Sequence, residues 1–559
     1  MKKLLFLLIP VFICLNNSFA QGPDWFWAKS AGGAELDQCQ SIATDQAGNS
    51  YITGYFTSPS IVFGNVTLVN SFPGTYDIFI VKYDFTGHVL WAKSYGGTGT
   101  DYGQSIFADQ QGHIYITGAF TSSSINVGGN ILINSSQFAS TDMFIIKLDT
   151  AANVIWTKNF SGLKGDDGTA IVADEQGNCY VTGRFQSDSL IVGNIILYNA
   201  GNFDIFLIKM DSSGHEVWAS NASGNDYEIA YGLAINSRGE LFQAGNFKSN
   251  FITFGNTTLI NPDFAFSSDI FITKYDTAGS VLWTHNYGGS HDELCYSVAA
   301  DPFGNCFITG EFNSDTVTFD GFTLINGGDW ADVCVVKIDS SGNVSWAKRA
   351  GGHTVDFGKG IISDKNGNCF VTGCYRSDSI SFDNEILTCA GCSDIFVVSY
   401  DGSGNVLMAK RIGNPDNDYP VGIAVDSIGN SYISGLFSGN SISIGNTNLL
   451  NTNPTTLDFF IAKMSLVSTL VNELNATEEG ISAYPNPALQ SLTIDCRAIG
   501  GSLKAFSIYN ILGERVFLGL STYSSQYPIE IDISKFPRGI YLLQLLTEEK
   551  KYSQKIVVE

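Results

Sequence analysis

Positive charge is scarce in this sequence. Thirty Lys and Arg stand against 54 Asp and Glu, a net charge of −24, and only 15% of residues are charged at all. Nucleic acids and anionic membrane surfaces are bound through basic patches, so neither is expected as a partner. Long apolar runs are also scarce. The one from Leu4 to about Leu15 is too short to remain across a bilayer, and no transmembrane segment is expected. The six histidines, His88, His113, His215, His285, His291 and His353, show no pair at metal-ligand spacing. There is no H-E-x-x-H, no G-x-S-x-G, no phosphate loop and no second C-x-x-C beside Cys389–Cys392. No catalytic residue and no cofactor is expected from motifs.

What is present begins with an export signal. Lys2 and Lys3 precede the apolar run, and Ser18-Phe19-Ala20 makes a small-x-small cleavage site before Gln21. Residues 1–20 therefore read as a signal peptide. Cys14 follows Phe12-Ile13 and lacks the small residue that lipoprotein processing needs. Abundant Gly, Asn, Ser, Thr and aromatics suit an exported all-β chain rich in turns. Most cysteines recur at equivalent places of a repeat, for example Cys179, Cys306 and Cys369 after Gly-Asn, and read as small buried residues. Cys389 and Cys392 form the one local pair, for which a loop disulfide is expected.

Three markers recur seven times. A T-G type marker ends at Gly54, Gly118, Gly183, Gly245, Gly310, Gly373 and Gly435, a spacing of 62 to 65 residues. A W-A-K type marker starts at Trp27, Trp91, Trp156, Trp218, Trp283, Trp346 and, with Met in place of Trp, Met408. A D-I-F type marker starts at Asp77, Asp142, Asp204, Asp269, Asp332, Asp394 and Asp458. Within a unit the apolar residues alternate with period two, and Asp-x-x-Gly turns such as Asp109–Gly112 and Asp84–Gly87 join the strands. A shorter piece such as "IVFGNVTLVN" adds a small hairpin. Four antiparallel strands repeated seven times describe a β-propeller.

The two ends of the repeat region complement each other. "DFFIAKMS" (458–465) has no W-A-K strand after it, whereas "WFWAKS" (25–30) has no D-I-F strand before it. The N-terminal strand is therefore expected to complete the last blade and close a seven-bladed ring, which would leave no open sheet edge. The blocks "GGTGTDYGQSIFADQQGHIYITGAF" and "DIFIVKYDFTGHVLW" resemble the SBBP-type β-propeller repeat family, over roughly residues 25–465. The resemblance implies a propeller, here assigned to 21–465, and implies little about ligand.

Residues 466–480 read as a linker. From 481 to 559 short strands and turn signals return, and a small β-sandwich is expected. Tyr484-Pro485-Asn486-Pro487, Tyr509-Asn510 with Gly513, Gly539-Ile540-Tyr541, and the closing run containing Lys551 and Lys555 resemble the type A C-terminal sorting domain of type IX secretion. This resemblance implies a Gram-negative cell, the type IX machinery and its sortase as partners, and a product released or held at the outer-membrane surface.

Candidate binding residues come from comparing the units. A carboxylate stands four residues before each first-strand Ser, Ala or Gly: Asp37, Asp101, Asp166, Glu228, Glu293, Asp356 and Asp418. It could form a ring for cations or sugar hydroxyls, or accept backbone N–H bonds in its own blade; its repetition favours the second role. The residue after the T-G glycine varies, and Arg184 and Glu311 are its charged members, as a recognition surface on a rigid scaffold would have. Asp364, Asn366 and Asn368 resemble half of a calcium loop without its bidentate acid, and calcium is the one ion considered. The tryptophan row is expected to pack between blades. The expected function is that of a monomeric, non-enzymatic, secreted or surface binding or adhesion protein for an extracellular glycan or protein. The alternatives are a polysaccharide-acting glycosidase or lyase, which needs two carboxylates in one pocket, and a structural scaffold.

Overall fold

The computed structural model describes residues 24–135, 140–263, 267–465, 482–495, 503–510, 515–520, 529–547 and 551–558. The expected signal peptide, the linker 466–480 and Gly513 lie outside them. The described residues contain strands and turns but no helix. The chain divides into two compact units, Met1–Val467 and Ser468–Glu559.

The first unit is built from one repeated sheet. The strands Asp101–Ala108, Ile114–Phe120, Asp142–Leu148 and Val154–Phe160 illustrate it, paired antiparallel in sequence order. The turn between the first two strands is made by Asp109. Its Oδ1 accepts from Gln111 N at 3.0 Å and His113 N at 2.8 Å, while Gly112 takes φ 82°. The second and third strands are buried on both faces, which is why they read as continuous apolar runs rather than alternating ones. A short hairpin, Ser124–Val127 with Asn130–Ile133, sits between them in sequence. Seven such groups of long strands are present, and in one of them the hairpin Phe251–Phe254 with Thr257–Ile260 joins the neighbouring outer strand.

Each first strand carries a bulge, as between Cys39 and Ser41 or Gly103 and Ser105, and the T-G glycine exists to accommodate it. A Cβ on Gly54 would lie 2.0 Å from the Gln38 carbonyl oxygen, and one on Gly118 would lie 2.0 Å from that of Tyr102. No side chain fits there.

The W-A-K tryptophan and the lysine of the D-I-F strand bridge neighbouring sheets, packing as expected. Trp156 Nε1 and Lys147 Nζ both donate to the Ser212 carbonyl in the next sheet, at 3.1 and 3.0 Å. The indole lies against Gly214, where an added Cβ would be 2.8 Å away. Trp283 and Lys274 meet Ser340 O, and Trp346 and Lys337 meet Gly402 O, in the same way.

The N-terminal strand Asp24–Ala31 pairs antiparallel with Asp458–Ser465, Lys29 facing Ile461, in the sheet that contains Asp418–Val425 and Ser431–Phe437. From there Trp27 Nε1 and Lys463 Nζ donate to Phe85 O in the first group of strands, at 3.0 and 3.3 Å. Thr44 Oγ1 donates to Val425 O at 2.9 Å and Tyr432 OH to Gly48 O at 2.8 Å.

In the second unit a three-stranded sheet (Ser482–Tyr484, Ser491–Asp495, Ile529–Asp532) and a four-stranded sheet (Leu503–Asn510, Arg515–Leu520, Gly539–Thr547, Lys551–Val558) share one core. Leu492, Ile494 and Ile531 of the first meet Ile508, Leu543 and Ile556 of the second.

Candidate functional site: the channel end of the repeat sheets

The seven recurring carboxylates are fully buried. Asp101 Oδ2 accepts from Ser122 Oγ at 2.6 Å and Gly97 N at 2.9 Å, and its Oδ1 accepts from Ser122 N at 3.1 Å. Asp37, Asp166 and Asp356 repeat the pattern with Ser58, Ser187 and Ser377. Ser249 donates to Glu228, Ser314 N to Glu293 at 3.1 Å, and Asn414 N to Asp418 at 2.7 Å. These side chains organise the loop that begins each blade, and their burial removes them from any recognition surface.

Each is joined by the aspartate that opens a D-I-F strand. Asp77, Asp142, Asp204, Asp269, Asp332, Asp394 and Asp458 are buried, and Oδ1 of each has no hydrogen-bond partner among the described residues. The G-G of the W-A-K-x-x-G-G marker makes the room. An added Cβ on Gly96 would lie 2.0 Å from Asp77 Oδ1, and one on Gly97 would lie 2.6 Å from Ser122 Oγ. Burial pushes the carboxyls up: Asp166 and Glu293 to about 7 and Asp418 to about 8, with Asp142, Asp269 and Asp394 adding like-charge repulsion to these three in turn.

A channel of about 450 Å³ runs between the first strands of all seven sheets. The bulge decides what faces it. The extra residue at each bulge is Gln40, Gln104, Thr169, Tyr231, Tyr296, Lys359 or Val421, and every one lines the channel. The frame repeats in all seven sheets, while the residue it presents is one of five kinds.

Arg184 also lines the channel, partly exposed. Its Nε donates to Asp167 Oδ2 at 3.0 Å, Nη1 reaches the Tyr227 hydroxyl, and the guanidinium lies 4.7 Å from the Phe203 ring centroid. Asp167 is further held by Thr141 Oγ1 at 2.6 Å and Tyr102 OH at 3.3 Å. Glu311 accepts from Tyr296 OH at 3.1 Å, and burial raises its pKa. Of the two variable positions singled out from the sequence, Arg184 lines the channel and Glu311 contacts a residue that does; Asp167, Tyr102, Tyr231, Tyr296 and Lys359 also line it and were not singled out. The available signal was the same one, variation between units, read one and three residues after the recurring carboxylate.

Other expected features resolve locally. Asp364 Oδ1 accepts from Asn366 N and Asn368 N, each at 2.9 Å, as a hairpin cap. No cluster of three or more His, Cys, Asp or Glu that could hold a metal occurs among the described residues. Cys389 and Cys392 are free thiols, against the expected disulfide: Cys389 Sγ donates to Gly391 O at 3.3 Å instead. Cys39, Cys179, Cys295, Cys306, Cys334, Cys369 and Cys374 are buried.

In the second unit the Asn486 side chain clasps the last strand, Nδ2 donating to Lys555 O at 2.9 Å and Oδ1 accepting from Val557 N at 2.8 Å. Pro485, Pro487 and Gly539 are exposed. Tyr484 is half-exposed, and Tyr541 is buried with its hydroxyl on Pro537 O at 2.6 Å. Lys551 opens the last strand.

The family described as beta-propeller repeat matches residues 27–55 and 409–442, and the secretion system C-terminal sorting domain matches residues 482–559. The chain carries β-propeller repeats and, over residues 482–559, a sorting domain of type IX secretion, which implies a destination outside the cell or on the cell surface. It is similar to an uncharacterized WD repeat-containing protein of Acanthamoeba polyphaga mimivirus, 24% identical over 517 residues, covering 76% of this chain and 37% of that protein. It is also similar to the regulatory protein FlaEY of Caulobacter vibrioides, 29% identical over 142 residues, covering 25% of this chain and 15% of that protein. The chain thus spans well under half the length of these relatives. Among solved structures it is similar to the WD40 domain of Neurospora crassa Pan2, with a TM-score of 0.41 and 8% identity, covering 80% of this chain and 96% of that one. In these described residues no helix is long and apolar enough to cross a membrane.

Proposed function

We propose that this is a non-enzymatic extracellular binding protein that recognises a glycan through one end of its propeller channel. The observation that carries this reading is the set of bulge residues: a sevenfold frame places Gln, Gln, Thr, Tyr, Tyr, Lys and Val in turn on the channel, five kinds of side chain from seven sheets. Rigid strands and tyrosines with polar tips present contact area at little entropic cost. In this reading the repeat region, 21–465, is a ring of seven blades. The pairing of Asp24–Ala31 with Asp458–Ser465 and the bonds from Thr44 to Val425 and Tyr432 to Gly48 support closure by the N-terminal strand. Residues 1–20 direct export, 466–480 link the units, and the region from 481 engages the type IX machinery and its sortase. The chain acts as a monomer, without a cofactor.

The test is binding of the purified full chain to a glycan array, with and without a calcium chelator. Saturable binding that survives chelation is expected, and absence of any glycan binding overturns the reading. A second reading, an enzyme acting on polysaccharide, is favoured by Glu311, a partly buried acid with a raised pKa that breaks the sevenfold pattern. Such an enzyme needs a second carboxylate, and Asp167, the one acid lining the channel among the described residues, is already engaged by Arg184, Thr141 and Tyr102. Release of reducing ends from an acidic polysaccharide would establish this reading instead.

A further inference from the structure

The channel is where a strongly acidic chain keeps two of its cations. Arg184 and Lys359 are the only cationic side chains lining it among the described residues, and both occupy positions that are uncharged or acidic in the other units. They differ in how they are satisfied. The Arg184 fork is committed to Asp167 and Tyr227. The Lys359 ammonium lies 5.0 Å from the Tyr296 ring centroid and makes no hydrogen bond among the described residues. Burial pushes its pKa below the ordinary lysine value, and the charge of Glu311 acts against this. An ammonium has three donors, and none of them is taken by a described residue, so they are open to solvent or to a ligand.

The surroundings of Lys359 are aromatic. Tyr296 meets Tyr231 edge-on at 5.8 Å and Phe357 edge-on at 6.0 Å. The result is a group of three rings contributed by three sheets, of which Tyr231 and Tyr296 line the channel, with a cation beside it that makes no hydrogen bond among the described residues. Stacking area next to a single cation suits a ring-shaped ligand that carries one carboxylate per ring. The amides of Gln40 and Gln104 elsewhere on the channel offer donors and acceptors for ring hydroxyls. A cavity of about 450 Å³ is of ligand-pocket size.

We infer that Lys359, with the group formed by Tyr231, Tyr296 and Phe357, is the subsite for the carboxylate of an acidic saccharide, a uronate unit whose ring lies on the tyrosines. The inference rests on the glycan-binding reading and names the class of glycan. The ligand carboxylate accepts from the Lys359 ammonium, a charge-assisted bond strengthened by the partly desolvated site.

Calorimetric titration of the purified full chain with trigalacturonate, cellotriose and triglutamate tests it, alongside Lys359→Gln. The expected result is saturable binding of trigalacturonate that weakens with added salt, falls about tenfold or more in Lys359→Gln, and far exceeds that of cellotriose. An unchanged unfolding temperature of the variant shows that the loss is local. Equal binding of cellotriose, or an unchanged affinity in Lys359→Gln, overturns the carboxylate subsite while leaving glycan binding intact. Binding of triglutamate without trigalacturonate overturns it in favour of an acidic peptide, and no binding of trigalacturonate overturns it outright even where the array is positive for other glycans.

Discussion

Buried carboxylates govern how individual residues respond to pH. Asp166 and Glu293 are held up at about 7 and Asp418 at about 8 by burial, whereas unfolded carboxyls ionise near 4. Between about pH 4 and 8 the folded chain holds protons that the unfolded chain has released, so stability falls as pH rises through that window. Turn-capping aspartates act in the opposite sense. Asp149 and Asp401, held below the usual carboxylate range by Asn153 and Asn405, contribute above about pH 4 and lose that contribution in acid. The unfolding temperature, followed by circular dichroism, should therefore be higher at pH 5 than at pH 8.5; a rise across that interval would contradict the carboxylate assignment. The glycines beside these groups are equally specific. Gly97→Ala would drive a methyl group into Ser122 Oγ and dislodge the donor to Asp101. A loss of about 1–3 kcal/mol in a denaturant titration is expected. The sequence shows the G-G and the carboxylate as separate repeated marks; that they serve one another was not legible, because the aspartate that fills the first glycine's space lies 19 residues away along the chain, at Asp77 for Gly96.

Two departures in the bridging elements share one physical cause. In the sheets described above, a tryptophan and a lysine reach the turn between the third and outer strands of the next sheet, as Trp156 and Lys147 reach Ser212. Met408 replaces that tryptophan in the sixth unit, and Ser399 replaces that lysine. The next sheet is the one whose third and outer strands are Asp458–Ser465 and Asp24–Ala31, which come from distant parts of the chain, so no turn joins them to receive the pair. Trp156→Met should cost about 1–3 kcal/mol through lost packing and the lost bond to Ser212. Met408→Trp should gain nothing, because its acceptor does not exist; stabilisation by Met408→Trp in the same unfolding assay would disprove this explanation. Strand order and turn chemistry were legible from period-two alternation and Asp-x-x-Gly. The first-strand bulge was not, because an inserted residue leaves no trace in that alternation until the strand is paired. The bulge residues that line the channel were therefore overlooked in favour of the buried carboxylates, whose repetition made them conspicuous.

For the whole molecule, the proposed reading gives binding to the first unit and export to the second. Truncation before Ser482 removes the region matched by the sorting domain. In cells that carry the type IX machinery the truncated chain should accumulate in the periplasm while the full chain reaches the medium or the cell surface. Equal export of both, measured by fractionation and immunoblotting, would reject the assignment. The channel end can act as a fixed recognition surface only if the seven sheets form a closed ring, and closure rests on the strand Asp24–Ala31. Hydrogen exchange of the backbone amides tests this most directly. Closure requires the amides of Asp24–Ala31 that face Asp458–Ser465 to be as protected as those of Val89–Tyr95, the equivalent outer strand of the first sheet. Free exchange of Asp24–Ala31 in an otherwise protected chain would show an open ring and contradict it.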